Sequence, residues 1–377
     1  MNYTPLQVLR GVDRMLGSSS ARAKKQQFCS ARLLLLLSLK LALGMVATAS
    51  PPRSVLVTGA TEGLGLAAAH QLVEAGHTVL VHGRNAAKVQ RVVDSLEASG
   101  GKAVGFVCDL SSMAEVRRLG AEVSAAWPAL DGLLNNAGSF DGDYTGKRVV
   151  TDEGNEYTLA VNVLAPFLLT SLLLPSLRAS TSPPARVVIS SSVSMGAAGS
   201  LGDLQLERGY SGHEAYSLSK LCDAMLAQEM HARYAGAQLS FNTMDPTSQI
   251  GLGADTKMLR AGWGSWGAPA SQATISAEMM VGSAWEGRSG EGFSSRTRTL
   301  IPTLALALAL ALTLTLTQTL TLTLTLNLTL TLTPTLTLTL TLTLSRFSSR
   351  REVADTAARR RLWDECVRLT GAVFPED

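Results

Sequence analysis

Short apolar runs and amphipathic stretches alternate along the chain from residue 54 onward. Stretches with helical periodicity separate the apolar runs, and each run is short enough to form a buried strand. The strand-like runs are SVLVTG, HTVLVHGRN, KAVGFVCDL, LDGLLNNAG, RVVISSSVS and AQLSFNTM. Strands that alternate with helices are typical of a parallel sheet with helices on both faces. The pattern therefore predicts an α/β fold, a Rossmann-type doubly wound parallel sheet in a single domain.

Three parts of the chain do not follow this pattern. We divide the chain into a targeting or membrane-anchor segment at 1–51, a dinucleotide-binding domain at 52–300, a Leu/Thr low-complexity tract at 301–345 and a C-terminal helix at 346–377 that packs back on the domain. The tract is free of charge and long enough for a membrane span. As a single strand it would extend on the order of 140 Å, so we interpret it as a simple-sequence insertion or gene-model artefact.

Residues 1–50 have the composition of a targeting segment rather than of a folded domain. They carry seven Lys or Arg residues against the single acid Asp13. Their apolar run at 33–46 is interrupted by Lys40 and is short for a membrane span, which needs about 20 residues. Three interpretations fit: a transit or signal segment that is removed, a short membrane anchor, or an over-extended start with the true beginning near Met45. A transit or signal segment predicts location in an organelle such as a plastid, a membrane anchor predicts the ER membrane, and an over-extended start predicts the cytoplasm.

Composition excludes several classes of function. The formal net charge of +3 is too small to indicate nucleic-acid binding. The four cysteines are scattered without a C-x-x-C pair, which indicates a reducing compartment rather than a disulfide scaffold or zinc site. The five histidines form no cluster with metal-ligand spacing, so we expect no metal.

A glycine-rich turn follows the first predicted strand and leads into a helix. Its sequence TGATEGLG places glycines at Gly59, Gly63 and Gly65. Glycines let the backbone approach a pyrophosphate, and the helix N-terminus offers free N–H groups and the positive end of a dipole. The turn therefore predicts a dinucleotide cofactor.

Two charged residues bear on which dinucleotide it is. Arg84 follows the second strand, where a NAD-specific site has an acid for the ribose 2′-hydroxyl, and an arginine there suits a 2′-phosphate. Arg84 therefore favours NADP over NAD, whereas Glu62 in the glycine turn mildly favours NAD. Asp109, after the third strand, is predicted to hydrogen-bond the adenine or, alternatively, to cap the helix that starts near Ser111.

Tyr216 and Lys220 lie four residues apart in GHEAYSLSKL, one turn of a predicted helix. An ammonium group close to a phenol favours the phenolate and lowers the pKa of the tyrosine. The pair is thus a candidate general acid/base that works near neutral pH. Because any amphipathic helix can carry this spacing, the assignment depends on the cofactor turn.

These motifs together resemble the short-chain dehydrogenase/reductase family. TGxxxGxG, D-L after the third strand, NNAG and Y-x-x-x-K occur in the family's order, and the resemblance covers residues 52–246. DLQLERGYSGHEAYSLSKL is most similar to the retinol-dehydrogenase-like and protochlorophyllide-reductase-like branch. The resemblance implies an NADP-dependent oxidoreductase that interconverts a carbonyl and an alcohol on a small or medium apolar substrate. Alternatives are reduction of a carbon–carbon double bond and a non-catalytic, NADP-sensing partner protein.

The resemblance also implies roles for individual residues. Tyr216 resembles the general acid/base, Lys220 the residue that assists it, and Asn162 the residue that holds a proton-relaying water. Ser192 matches the serine that binds the substrate carbonyl, with Ser191 the alternative. The implied cofactor-binding residues are Gly59, Thr61, Gly63, Leu64, Gly65, Arg84, Asp109, Leu110, Asn136, Ala137, Gly138, Tyr216, Lys220 and Pro246. The helices that carry Asn162 and Tyr216 are expected to form a homodimer.

The family pattern breaks after the last predicted strand. Pro246 is followed by TSQIGLGAD instead of a glycine and a short loop, so residues 247–255 resemble an insertion. The corresponding family loop contacts the nicotinamide, which puts cofactor affinity in doubt. Trp263 and Trp266 follow in the substrate-loop region, where they form a pocket wall or lid or simply pack.

Overall fold

Seven parallel strands form one sheet in the computed structural model, which describes residues 51–182, 184–250, 253–264, 267–293 and 350–375. Their spatial order is β3-β2-β1-β4-β5-β6-β7. The strands are β1 Ser54–Val57, β2 Thr78–Gly83, β3 Lys102–Val107, β4 Gly132–Asn135, β5 Ala185–Ser190, β6 Leu239–Met244 and β7 Glu291–Phe293. The order runs outward from β1 in both directions, so the connections cross between the two faces of the sheet. The predicted doubly wound α/β fold is confirmed.

Helices cover both faces of this sheet. They are α1 Gly63–Glu74, α2 Ala86–Ala98, α3 Met113–Ala126, α4 Tyr157–Arg178, α5 Gly212–Tyr234, α6 Lys257–Trp263, α7 Ile275–Val281, α8 Arg351–Ala354 and α9 Thr356–Thr370. Successive strand residues point to opposite faces, so Leu56 joins one apolar core while Val55 and Val57 join another. The first core packs against α3, α4 and α5, and the second against α1, α2 and α7.

Polar residues start the longer helices where the sequence changes from strand to helix. The side chains of Asn85, Ser112 and Ser211 accept hydrogen bonds from backbone N–H groups in the first turns of α2, α3 and α5. Each cap satisfies a donor that the helix leaves unpaired, typically worth about 1 kcal/mol. Because Ser112 caps α3, the alternative role proposed for Asp109, capping that helix, is wrong.

Three short elements that follow β6 along the chain are not evident from the hydrophobic pattern. The strand β7 contains only Glu291–Phe293, and the helices α6 and α7 have seven residues each. β7 depends on its neighbour, since Asp245 donates its N–H to the Phe293 carbonyl at 2.9 Å. Such short elements follow tertiary contacts rather than a local period.

The C-terminal helix α9 packs against α5 and α4. Trp363 meets Phe167 edge to face at 4.8 Å between ring centroids, and Cys366 is completely buried. This contact explains why an amphipathic helix follows the low-complexity tract. α9 therefore covers part of the two helices expected to form a homodimer, which stays a prediction. The segments proposed at 1–50 and 301–345 lie outside the described residues.

Among the described residues, α4 is the one helix that is long and apolar enough to cross a membrane. Its apolar window is 89% buried within the domain. That degree of burial is what a core helix of this fold requires, because α4 packs against β4, β5 and α3. The helix is therefore weak evidence for a membrane span.

Candidate active site

A cleft of about 750 Å³ opens at the carboxyl edge of the sheet. Ligands of open α/β sheets bind at this edge, and a cleft of this size fits a dinucleotide-sized ligand. Every residue predicted to bind the cofactor lines it: Gly59, Thr61, Gly63, Leu64, Gly65, Arg84, Asp109, Leu110, Asn136, Ala137, Gly138, Tyr216, Lys220 and Pro246. Fold topology thus brings together residues that are spread over most of the domain.

The glycine turn is packed too tightly for side chains. A Cβ atom on Gly65 would lie 2.3 Å from the Gly59 carbonyl oxygen and 2.4 Å from the Asn136 amide nitrogen. Asn136 in turn donates to the Thr58 carbonyl at 3.0 Å, which joins the NNAG segment to the turn. The Glu62 side chain does not cap α1. The free N–H groups at the start of α1 therefore fit a pyrophosphate.

His82, on β2, hydrogen-bonds the first residue of the glycine turn. Its role was not identified from the sequence. Its Nδ1 accepts the Gly59 N–H at 3.2 Å, and its Nε2 lies 3.1 Å from the Cys108 carbonyl oxygen. This pattern assigns a neutral imidazole with the proton on Nε2. Burial lowers the pKa of His82 to about 4, although Cys108 and Asp109 oppose the shift. The one sequence feature that could have indicated this role is a histidine at the end of the apolar run VLVHG.

Acid is expected to destabilise the protein through His82. Because its pKa is about 4 when folded and 6.5 in the ordinary state, its contribution is complete above pH 6.5 and is lost as the pH falls toward 4. Between pH 7 and pH 5 we expect this group to remove about 2 kcal/mol from the free energy of unfolding. Urea titration of the wild type and His82→Gln at both pH values measures it.

In His82→Gln the loss between pH 7 and pH 5 should shrink by that amount, because the side chain no longer titrates. The matched control is His70→Gln, a partly exposed histidine of α1, which should keep the wild-type loss. An unchanged loss in His82→Gln would contradict the assigned neutral state.

Arg84 lies at the rim of the cleft and is already paired. Its guanidinium donates to both carboxylate oxygens of Asp143, at 2.8 and 3.3 Å, and to the Tyr157 hydroxyl at 3.1 Å. The Asp143 carboxylate raises the pKa of Arg84. Glu62, which mildly favours NAD, forms an ion pair with Lys88. The negative charge of Glu62 is thus compensated beside Arg84.

Asn162 occupies a π-helical turn, Ala160–Leu164, inside α4. Its side chain accepts the Ser139 N–H at 2.7 Å and donates to the Ser139 carbonyl at 3.1 Å and the Ser219 hydroxyl at 2.9 Å. Single π turns are frequent at functional sites. These bonds join α4 and α5 to the segment after NNAG. They make Asn162 a bridge between elements, and the predicted water-holding role stays a prediction.

The three serines after β5 have different surroundings. The Ser191 hydroxyl donates to the Lys220 carbonyl at 2.7 Å. The Ser192 hydroxyl donates to the Ser194 hydroxyl at 3.2 Å and lies close enough to the Tyr216 phenol to oppose the rise of its pKa, and the adjacent Val193 N–H donates to Asp245 at 3.2 Å. Ser190 and Ser191 line the cleft and Ser192 does not. The assignment of Ser192, with Ser191 as the alternative, stays a prediction.

Tyr216 and Lys220 lie on one face of α5, as their spacing predicts. The Lys220 Nζ is 5.6 Å from the centre of the Tyr216 ring and donates to the Ser190 carbonyl at 2.8 Å and to Asp223 at 2.9 Å. Burial would lower the pKa of Lys220, but the Asp223 carboxylate raises it above the ordinary value. Lys220 is therefore a fixed cation beside the phenol.

The net pKa of Tyr216 differs from the expectation. Burial raises it more than the Lys220 ammonium lowers it. The effect of Lys220 on the pKa of Tyr216 has the predicted direction. However, a phenolate at this position would be almost completely buried, and desolvation of the charged form is costly. Spacing on a helix carries no information on that cost.

Aromatic rings surround Tyr216. The centroid of Phe140 lies 5.9 Å away and that of Trp263 lies 5.6 Å away, both edge to face. The His213 ring contacts Phe140 and Trp263, and its Nε2 meets the Gly262 carbonyl at 2.8 Å. Trp263 is 41% exposed, so it forms an outer wall at Tyr216 rather than core. Trp266 lies outside the described residues.

The described residues of the segment 247–255, which resembles an insertion, are hydrogen-bonded to the rest of the domain. Asp245 accepts the Thr247 N–H at 2.9 Å, and Gln249 accepts the Ile275 N–H at 2.8 Å at the start of α7. Ala254 pairs with Ala268, and residues 251–252 are outside the described part. The segment therefore connects β6 with α6, which lines the cleft.

Several cleft residues were not identified from the sequence. They come from the loop after β4, the start of α4 and the helix α6: Asp143, Tyr144, Tyr157, Lys257, Met258, Arg260 and Ala261. None belongs to a motif with fixed spacing. Only the fold places them opposite the glycine turn.

Comparisons with known proteins agree with this geometry. A family model described as short chain dehydrogenase matches residues 53–250. Retinol dehydrogenase 14 of Mus musculus is 34% identical over 206 residues, which are 52% of this chain and 60% of that protein. Polyprenol dehydrogenase of Mus musculus is 38% identical over 223 residues, 56% of this chain and 63% of that protein. The match thus spans under two thirds of either relative.

Solved structures show the same fold. The RhlG protein of Pseudomonas aeruginosa, in an active-site complex with NADP, superposes with a TM-score of 0.50 and 29% sequence identity. The superposition covers 65% of this chain and 95% of that chain. The part of this chain that matches corresponds to nearly all of the bacterial protein.

Proposed function

The chain belongs to the short chain dehydrogenase family, and we propose that it is an NAD(P)-dependent oxidoreductase similar to the retinol dehydrogenases and that it uses NADP to interconvert a carbonyl and an alcohol on an apolar substrate. The observation that carries the proposal is the position of Tyr216. Its phenol shares the cleft with the glycine turn and lies beside Lys220 and Ser192. A proton-transfer group and a dinucleotide cradle thus occupy one cleft.

The cleft residues fit a dinucleotide. Gly65 leaves room where a Cβ would meet the Gly59 carbonyl, and the uncapped start of α1 would hold the pyrophosphate. Arg84 would hold a 2′-phosphate, and Lys220 would hold the nicotinamide ribose. The nicotinamide, when bound, supplies or accepts the hydride.

Side chains of this protein transfer the proton. During reduction of a carbonyl, Tyr216 donates its phenolic proton to the carbonyl oxygen, and during oxidation of an alcohol the phenolate accepts it. Ser192 donates a hydrogen bond to the same oxygen and stabilises its developing charge. Lys220, held by Asp223 and the Ser190 carbonyl, stabilises the phenolate. Burial of Tyr216 keeps the phenol protonated at neutral pH.

The aromatic wall supports an apolar substrate. The ring centroids of Phe140, His213 and Trp263 lie within 5.3 Å of one another around Tyr216, and aromatic rings offer a large contact area to an apolar chain. The names of the two mouse relatives point to retinol and polyprenol, which are apolar alcohols. The apolar run at 33–46 supports delivery to a membrane or organelle, where such substrates partition.

A cofactor and substrate screen with the full-length protein tests the proposal. Binding should quench protein fluorescence on titration with NADPH more strongly than with NADH. The protein should then oxidise NADPH with long-chain apolar aldehydes, including retinal, and reduce short polar aldehydes poorly. Absence of binding to both cofactors would overturn the proposal. Turnover only with substrates that carry an activated carbon–carbon double bond would instead support the alternative reductase.

Arg84→Gln is expected to weaken NADPH binding by about 10- to 100-fold, because a hydrogen-bonded charge pair contributes about 1.5–3 kcal/mol. The affinity for NADH, which has no 2′-phosphate, should stay within about twofold. Dissociation constants from fluorescence titration measure both values. The matched control is Arg118→Gln, an arginine of α3 that pairs with Glu122 away from the cleft. Equal losses for both cofactors would show that Arg84 is structural.

A further inference from the structure

Asp143 makes the closest charged contact of Arg84 among the described residues. The contact is bidentate, at 2.8 and 3.3 Å, and joins residues that are 59 positions apart in the sequence. The two side chains are 52% and 31% exposed. A carboxylate therefore occupies the same planar edge of the guanidinium that recognises phosphate.

The backbone that presents Asp143 is strained. Asp141, Gly142, Asp143 and Tyr144 all have positive φ, between 50° and 68°. For residues with a Cβ the left-handed conformation costs about 1–2 kcal/mol each. Consecutive residues persist in it only where the surroundings hold them, and such strain is concentrated at ligand clamps and switch regions.

Two tertiary contacts hold this turn against the cleft. On one side Arg84 binds Asp143, and on the other the Lys257 ammonium lies 3.9 Å from the centre of the Tyr144 ring. Asp143, Tyr144 and Lys257 all line the cleft. The turn thus bridges the predicted phosphate end of the cleft and the helix α6.

Two ion pairs lie at this rim. Arg84 pairs with Asp143, and Lys88 pairs with Glu62. A 2′-phosphate would bring about two negative charges into this group. A carboxylate and a phosphate cannot both bind one edge of a guanidinium, because like charges at hydrogen-bond distance repel.

We propose that Asp143 competes with the 2′-phosphate of NADP for Arg84 and thereby sets how strongly the protein prefers NADP over NAD. The inference rests on the proposed NADP site. Binding of the phosphate displaces the carboxylate from Arg84, which costs part of the phosphate's binding free energy. NADH has no phosphate and leaves the ion pair intact. Asp143 is thus a determinant of cofactor specificity.

Asp143→Asn tests the competition, because asparagine has nearly the same shape and tolerates the left-handed conformation. The dissociation constants of 2′,5′-ADP and NADPH should both fall by about fivefold, the equivalent of a partly exposed ion pair. The value for NADH should not change. Calorimetry with 2′,5′-ADP measures the affinity for the 2′-phosphate end of the cofactor, because this ligand has no nicotinamide and undergoes no turnover.

Two further variants separate competition from other effects. In the Arg84→Gln background, Asp143→Asn should no longer strengthen 2′,5′-ADP binding. Asp141→Asn is the matched control, since Asp141 belongs to the same turn but its carboxylate lies against Gly212 at the start of α5, and it should leave all three constants unchanged.

The outcomes distinguish this inference from the proposed function. Weaker or unchanged 2′,5′-ADP binding in Asp143→Asn would overturn the competition and make Asp143 an orienting or neutral partner of Arg84. Tighter binding of NADH than of NADPH by the wild type would overturn the proposed cofactor, whereas the change in 2′,5′-ADP affinity would still decide the role of Asp143.

Discussion

Tyr216→Phe is expected to lower turnover at least about 1,000-fold while NADPH affinity stays within about twofold of the wild type. Phenylalanine keeps the ring contacts with Phe140 and Trp263 and removes only the hydroxyl. General acid/base catalysis contributes about 10²–10⁴ in rate. Steady-state oxidation of NADPH and fluorescence titration measure the two quantities.

The matched control is Tyr144→Phe. Tyr144 also lines the cleft, and burial raises its pKa to about 12. Its ring, rather than its hydroxyl, contacts Lys257, so we expect turnover near that of the wild type. A loss of turnover smaller than about tenfold in Tyr216→Phe, below the roughly 10²–10⁴ that acid/base catalysis contributes, would refute the assigned proton donor.

Gly65→Ala is expected to weaken the binding of NADPH and NADH alike by about 100-fold or more. The new Cβ would lie 2.3 Å from the Gly59 carbonyl oxygen and 2.4 Å from the Asn136 amide nitrogen, so the turn and the NNAG segment must move apart. A displacement of about 1 Å in a binding constellation is enough for a loss of this size. Overpacking should also lower the free energy of unfolding by about 1–3 kcal/mol.

The matched control is Gly236→Ala, in the connection between α5 and β6. No atom lies within 4 Å of a Cβ placed there, so cofactor affinity and stability should stay at the wild-type level. Fluorescence titration with both cofactors and urea unfolding measure the effects. Unchanged affinity in Gly65→Ala would mean that the pyrophosphate does not bind at this turn.

The order of elements and the position of the cleft are readable from the sequence. Alternating apolar runs and helical stretches predict the parallel sheet, because burial on both faces requires apolar residues throughout a strand. Ligands bind beyond the carboxyl ends of such strands. Gly65, Arg84 and Pro246 therefore fall on one cleft, although no short-range pattern connects them.

Residues that act through neighbours far away in the sequence were not predictable. The sequence predicts Arg84 as a phosphate ligand, but its ion pair with Asp143 depends on the path of the loop after β4. His82 resembled any polar residue in a strand until the fold placed Gly59 and Cys108 on its two ring nitrogens. These contacts form only once the sheet has brought separate connections to one edge.

The sequence by itself determined the spacing of Tyr216 and Lys220, because both lie on one helix and a turn of helix has a constant rise. The tertiary structure decided what that spacing does. Packing against Phe140 and Trp263 buries the phenol, and burial outweighs the lysine in raising the pKa of Tyr216. It also gives Ser191 and Ser192 different partners, since the Ser191 hydroxyl donates to the Lys220 carbonyl of α5 and the Ser192 hydroxyl donates to Ser194. A helical repeat depends only on neighbouring residues, whereas desolvation and charge depend on everything packed around the group.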